Sequence, residues 1–121
     1  MVDENPAGRQ QLVPHVETGG LRWGQSFVSG ANLTWPFAQI HVSADHLRLS
    51  VAVWKLWKRS FDFDRVEVRQ IRKRQGLFNV GVVVEHGKPE YPPFILFWTF
   101  RYEILSGALR RLGYEVVETS T

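Results

Sequence analysis

Leu47, Leu49, Val51 and Val53 alternate with Arg48, Ser50 and Ala52, the cleanest period-two pattern in the chain. Successive side chains on a strand point to opposite faces, so this spacing predicts a strand with one buried and one wet side. Ala38, Ile40 and Val42 show the same alternation against Gln39 and His41, within a segment spanning 33–42 where Pro36 marks an edge or a bulge. The polar turn Ser43-Ala44-Asp45-His46 joins the two segments, and a hairpin is expected. Leu21 to Val28, ended by Ser29-Gly30, supplies an earlier strand.

Downstream, WKLWKRSFDF over residues 54–63 alternates again, placing Lys55, Trp57, Arg59, Phe61 and Phe63 opposite Trp54, Leu56, Lys58, Ser60 and Asp62. An Asp64-Arg65 corner leads into Val66 to Arg74, where Val66 and Val68 share a face and Ile71 is out of phase with both. One extra residue at Arg69-Gln70, a β-bulge, returns Ile71 to the core. After the Gln75-Gly76 turn, Val80, Val82 and Val84 alternate with Asn79, Gly81 and Val83. The three-proline stretch from Gly87 to Pro93 reads as a rigid connector, because proline fixes φ and removes a donor. Phe94 to Phe100 is β-branched or aromatic at all but Leu96 and is too short to span a bilayer as a helix, so it reads as a strand.

The period then changes. Ile104, Leu105, Ala108, Leu109 and Leu112 fall within an arc of roughly 140° on a helical wheel, the signature of an amphipathic helix. Glu103 in its first turn and Arg110-Arg111 in its last complement the helix dipole, Gly113 suits the left-handed C′ position, and Gly107 is expected to allow a close approach to the sheet. The fold class predicted is α+β: about seven antiparallel strands in a split β-barrel capped by one C-terminal α-helix.

Composition narrows the classes. A chain of 121 residues, 44% hydrophobic and 22% charged, is one globular domain. Residues 1–20 read as a flexible N-terminal tail in which Leu12 to Val16 can add a short edge strand, 21–116 as the domain, and 117–121 as a C-terminal tail. Without cysteine there is no disulfide, thiolate nucleophile or cysteine metal site. The acidic start MVDENPAGRQQ lacks a signal pattern, so a cytoplasmic protein is expected, peripheral at most, with the Asn32-Leu33-Thr34 sequon silent. Net charge is +3, but residues 55–74 hold eight basic and three acidic side chains, which points to an anionic partner.

FAQIHVSADHLRLSV, SFDFDRVEVRQIRKRQGLF, GVVVEH, FILFWTF and YEILSGALRRLGYEV, in that order, resemble the pleckstrin-homology (PH) superfold in the broad form that includes GRAM-type and small bacterial PH-like domains. The resemblance covers roughly residues 21–116. It implies a scaffold for lipid headgroups, peptides or self-association, without catalytic activity of its own and without a cofactor. The phosphoinositide motif of the eukaryotic branch needs basic residues on the first two strands, and residues 21–42 hold only Arg22.

The site expected first is the basic set Lys55, Lys58, Arg59, Arg69, Arg72 and Arg74, with Arg65 and Lys73 beside it. Facing an anionic leaflet, each cation contributes about 1 kcal/mol. The alternative is a small nucleic-acid-binding β-barrel in which Trp54 and Trp57 stack on bases between the cations; a solvated face paired with Asp62, Asp64 and Glu67 is the simplest reading of the charges. The second expected surface is apolar: with Phe94, Leu96, Trp98 and Phe100 turned to the core, Val83, Ile95 and Phe97 form an opposite face for a protein partner or a second copy. His41, Asp45 and His46 are the candidate metal ligands and Asp62 with Asp64 the candidate acid/base pair, but turn and surface roles account for them, and no metal and no catalytic residue is expected.

Overall fold

The computed structural model describes residues 13–26 and 29–118. Its elements are β1 (His15–Ser26), β2 (Ser29–Val42), β3 (His46–Val53), β4 (Trp57–Asp64), a short 3-10 turn (Arg65–Glu67), β5 (Val68–Gln75), β6 (Val80–His86), β7 (Phe94–Thr99), α1 (Tyr102–Arg111) and β8 (Val116–Val117). The strands form one mixed sheet of eight in the order β4-β3-β2-β1-β7-β6-β5-β8, antiparallel except for the β5–β8 pair. The sheet-plus-helix class expected from the sequence is present, with one strand more than the seven anticipated. β8 is only two residues long and held partly by the Ile71 N–H to Glu115 carbonyl bond at 2.8 Å, too little sequence to carry a period.

The hairpin of β2 and β3 forms as expected, with Ala38 opposite Val51, Ile40 opposite Leu49 and Val42 opposite Leu47, all buried. The bulge is also present: pairing of β5 with β6 jumps from Val68–His86 to Gln70–Glu85, and Ile71 is fully buried. Val66 departs from the expectation. It lies in the 3-10 turn and is exposed, because Asp64 and Glu67 form a capping box that winds the chain before β5 begins.

β1 starts at His15, so residues 15–20, assigned to the tail, belong to a strand flanked by β2 and β7. The two glycines there are required by close packing. A Cβ on Gly19 would lie 2.1 Å from the Trp98 carbonyl oxygen and 2.6 Å from the Phe97 ring, and one on Gly20 would lie 3.0 Å from the Leu33 carbonyl oxygen. Opposite Gly20 the register jumps from Gly19–Ala38 to Leu21–Leu33, so Thr34 to Phe37 bulge out of β2. Leu12 and the Phe27-Val28 end of the expected first strand lie outside the described residues.

The inner face carries one core, with Leu21, Ile40, Leu49, Phe61, Phe63 and Phe97 among its fully buried members. α1 closes it. Leu105 and Leu109 have no solvent exposure and Leu112 almost none, and each leucine so buried contributes about 2 kcal/mol. Glu103 and Arg110-Arg111 sit at the ends expected, and Gly113 takes φ +100°. Two helix expectations fail: Ile104 is exposed at the rim of the arc, and Gly107, with nothing within 4 Å of a Cβ placed on it, faces away from the sheet.

The connector between β6 and β7 has a task the sequence did not reveal. Tyr91 sets its ring edge-on to Phe61 and Phe63, 5.2 and 5.3 Å between centroids, and its hydroxyl accepts the Asp62 N–H at 3.0 Å. Lys88 Nζ donates to the Asp62 carbonyl at 3.0 Å. The free edge of β4 is thereby occupied at Asp62 by side chains, which blocks further strand pairing there.

Candidate functional site

The turn between β3 and β4 folds where period two predicted continuous strand. The Leu56 N–H bonds the Val53 carbonyl at 3.0 Å and Trp54 takes φ +53°, a conformation unusual for a bulky residue. No glycine or proline announces it. The turn throws Trp54 and Leu56 into solvent, each 85% exposed. Trp57 anchors its far side: one ring face stacks on Trp23 at 6.0 Å and 11°, and Trp23 meets Phe61 edge-on within the core. Lys55, Lys58 and Arg59 are exposed around the two apolar side chains, with the Arg59 guanidinium 4.9 Å from the centroid of Phe61. Between residues 54 and 61 there is no acidic side chain.

Only this half of the expected basic set gathers. Arg69, Arg72 and Arg74 ride on β5, which the strand order separates from β4 by five intervening strands. Arg72 is paired with Glu85 at 2.7 Å, and the Arg69 guanidinium would be 2.6 Å from a Cβ on Gly87. Lys73 lies 4.8 Å from the Tyr102 ring centroid, while Arg65 reaches the Gly113 carbonyl at 3.4 Å. Glu85 is held below its ordinary value, first by the Arg72 hydrogen bond, with burial opposing. The basic set is thus divided between the β3–β4 hairpin and β5, and on β5 Arg72 is already paired.

The expected apolar interface is corrected in phase. Ile95 and Phe97 have no exposure and belong to the core, whereas Leu96 and Trp98 turn to the other face. Val83 is on that other face, opposite Leu96 and Arg72, and is also buried. A run apolar on both sides carries no phase, so the sequence left the choice open. Phe100, expected inside, is 69% exposed.

What the outer face does present is a cleft of about 360 Å³ at the β2 bulge, lined by Gly20, Asn32, Thr34, Trp35, Asn79, Trp98, Thr99 and Phe100. Trp98 lies between Gly20 and Gly81 in neighbouring strands and is half-buried, its indole meeting a Cβ placed on Gly81 at 3.0 Å. Trp35 and Phe100 meet edge-on at 6.5 Å across the mouth. No lining residue is charged. Beside it the β5–β6 turn, closed by the Gly76 N–H to Asn79 carbonyl bond at 2.8 Å, holds out Leu77 and Phe78, 92% and 94% exposed. The sequence marked this stretch only as a turn.

The polar candidates are occupied elsewhere. His41 contacts Gln39 at 3.2 Å, Asp45 accepts the Ser43 hydroxyl at 3.1 Å, and His46 contacts Asp62 at 3.3 Å, so the three do not converge on a metal position. Arg48 Nε donates to Asp62 at 2.5 Å; burial pushes the Asp62 carboxyl up, but the hydrogen bonds from Arg48 and His46 outweigh it and hold the group below its ordinary value. The Asp64 N–H donates to Glu67 at 2.8 Å, and the Asp64 carboxylate lies 3.9 Å from His46 Nδ1, on the other side of the ring from Asp62. Unforeseen in the sequence is a buried carboxylate: Glu17 accepts the Thr99 hydroxyl and lies 3.1 Å from His15, while Thr99 Oγ1 accepts the Arg101 N–H at 2.8 Å just ahead of α1. Among the described residues no three histidine or acidic side chains are placed to share a metal, and no helix is long and apolar enough to cross a membrane.

No protein-family model matches the chain, and none of the curated proteins matches it.

Proposed function

We propose that this chain is a non-enzymatic binding and assembly module of PH-like build, and that it docks on an anionic membrane surface through the β3–β4 turn. The order of strands, an antiparallel run ending in a helix that stoppers the inner face, supports a split-barrel reading. The observation that carries the docking is the turn itself: Trp54 and Leu56 stand 85% exposed, with the exposed cations Lys55, Lys58 and Arg59 adjacent in sequence. A soluble surface gains nothing from two such side chains, but an interface accepts an indole and a leucine while cations meet lipid phosphates. Three cations at about 1 kcal/mol each, with a similar gain from the apolar pair, give on the order of 6 kcal/mol, a dissociation constant of tens of micromolar. About half of that is electrostatic and weakens with salt. The protein then works at the cytoplasmic face of the membrane.

Co-sedimentation with phosphatidylcholine vesicles containing increasing phosphatidylserine tests this. Binding should rise with the anionic fraction, fall with salt, and drop about tenfold or more in a Trp54→Ser/Leu56→Ser variant that keeps its circular dichroism spectrum. Equal binding to neutral vesicles, or an unaffected double variant, would falsify the proposal. Salt-sensitive binding to a single-stranded oligonucleotide without vesicle binding would transfer the site to the nucleic-acid reading. Trp57 already gives one ring face to Trp23, so that reading has Trp54 as its freer stacking platform.

A further inference from the structure

The cleft and the β5–β6 turn lie side by side on one face, the first concave and the second convex. Asn79 lines the cleft and directly follows Leu77-Phe78, and Val80 pairs with Thr99 at the start of the next strand. Trp98 runs under both: a Cβ on Gly76 would be 3.0 Å from the far end of its indole. One continuous apolar surface therefore runs from Phe78 through Trp98 to the Trp35–Phe100 pair.

From this surface we infer that the chain forms a two-fold symmetric homodimer in which Leu77 and Phe78 of each copy enter the Trp35/Trp98/Phe100 cleft of the other. The inference specifies the assembly part of the function proposed above and stands apart from its membrane part.

Area supports a second copy. Exposures of 54%, 69%, 92% and 94% for Trp35, Phe100, Leu77 and Phe78 leave on the order of 500 Å² of apolar side chain in water, at roughly 200 Å² per aromatic ring. One side of a standard interface buries about 800 Å², of which a little over half is apolar, or about 450 Å². The patch is the size that one partner must supply, and lies in the upper part of the roughly 300–600 Å² range of the largest, often functional, apolar patches. Charge agrees, because neither the lining of the cleft nor the tip entering it carries a charge, so docking strands no buried ion. Symmetry agrees as well. A face that holds both the projection and its receptacle is complementary to itself, and a two-fold axis between them satisfies both contacts and closes the assembly at two copies. Asn32, Thr34 and Asn79 form the polar rim that such an interface requires.

Size-exclusion chromatography with light scattering, together with sedimentation velocity over a dilution series of the full chain, reads the outcome. A dimer dissociating on dilution is expected. Leu77→Ser/Phe78→Ser should weaken it about 30-fold or more while leaving the spectrum and melting temperature of the monomer unchanged, since truncating central aromatic anchors costs at least that much. Because the chain has no cysteine, mixing separate Phe78→Cys and Asn32→Cys variants under mild oxidation should give a cross-linked heterodimer well in excess of either homodimer. A monomer persisting to about 1 mM, roughly three orders above a micromolar dissociation constant, overturns the inference. So does a dimer indifferent to the Leu77/Phe78 change, or open-ended higher oligomers.

Discussion

Substituting Phe97 by alanine should cost about 4 kcal/mol of folding stability. The ring has no solvent exposure, is flanked in neighbouring strands by Leu21 and Val82, and covers Gly19 so closely that a Cβ there would be 2.6 Å from it. Removing it loses the transfer energy of a large apolar group and leaves a cavity walled by backbone that cannot collapse, the two contributions that place buried Phe→Ala changes at about 3–5 kcal/mol. Phe78, identical in chemistry but 94% exposed, provides the control, and its alanine variant should stay within about 0.5 kcal/mol. Urea unfolding followed by tryptophan fluorescence separates them. With m near 1.5 kcal/mol/M, the Phe97 variant's midpoint falls by about 2.5 M with m unchanged, while Phe78→Ala barely moves it. Because a dimer would add stability by mass action, both are measured at one low protein concentration. A loss below about 1 kcal/mol for Phe97→Ala, or equal losses at the two positions, would show that Phe97 faces outward and that the inside and outside of β7 have been interchanged.

Gly19→Ala should destabilise by more than about 3 kcal/mol, seen as a large fall in melting temperature, since its methyl meets the Trp98 carbonyl at 2.1 Å and a backbone atom cannot step aside. For Asp62, the depressed pKa means that its pairing stabilises the fold above the ordinary value of 3.8 and is lost as pH falls below it. The pair is partly exposed, so the loss is a few tenths of a kcal/mol, and Asp62→Asn should flatten the melting-temperature profile below about pH 4. Tyr114, buried with its hydroxyl donating to the Ser43 carbonyl at 3.2 Å, is pushed up to about 12, chiefly by burial. Its contribution is intact below the ordinary value of 10.0 and is lost as pH rises toward 12, and the 295 nm titration should lose a phenolate step near pH 10 that returns on unfolding.

Legibility followed the contrast between the two faces of each element. β2 and β3 alternate buried with wet, so period and phase were both written at Leu47, Leu49 and Val51, and the β5 bulge could be deduced from one misplaced isoleucine. β7 is apolar on both sides, and its one inward polar residue, Thr99, is buried against Glu17, a carboxylate that looked like part of a solvated tail. The β3–β4 turn escaped because it is made of Trp54, Lys55 and Leu56, residues that supply strand-like alternation and none of the usual punctuation. The basic candidate is divided for a related reason. Lys55, Lys58 and Arg59 are neighbours along one hairpin, which sequence proximity reports faithfully, while Arg69, Arg72 and Arg74 lie beyond the Arg65–Glu67 corner on β5, which pairs with β6 and β8 and not with β4. The cleft had no sequence signal at all: it arises where a β2 bulge, two glycines in neighbouring strands and an exposed turn meet around Trp98.

The membrane turn and the dimer face do not compete for the same part of the molecule. No residue of the β3–β4 turn lines the cleft, and neither Leu77, Phe78 nor any cleft residue belongs to that turn. Pairing through the aromatic cleft therefore uses no residue of the β3–β4 turn in either copy. Two turns on one particle change the energetics more than any single contact, because once one turn is seated the second meets the bilayer at an effective concentration in the millimolar range. Attachment of about 6 kcal/mol per turn is marginal for a monomer, and doubling it raises the apparent affinity by about a hundredfold without a new interaction. Leu77→Ser/Phe78→Ser removes neither a cation nor any residue of the β3–β4 turn, yet it should lower vesicle binding at least tenfold. Trp54→Ser/Leu56→Ser should lower vesicle binding about tenfold or more and leave the dimer intact. Unchanged vesicle binding by the Leu77/Phe78 variant would mean that each copy meets the membrane alone, and that the two apolar surfaces serve separate ends.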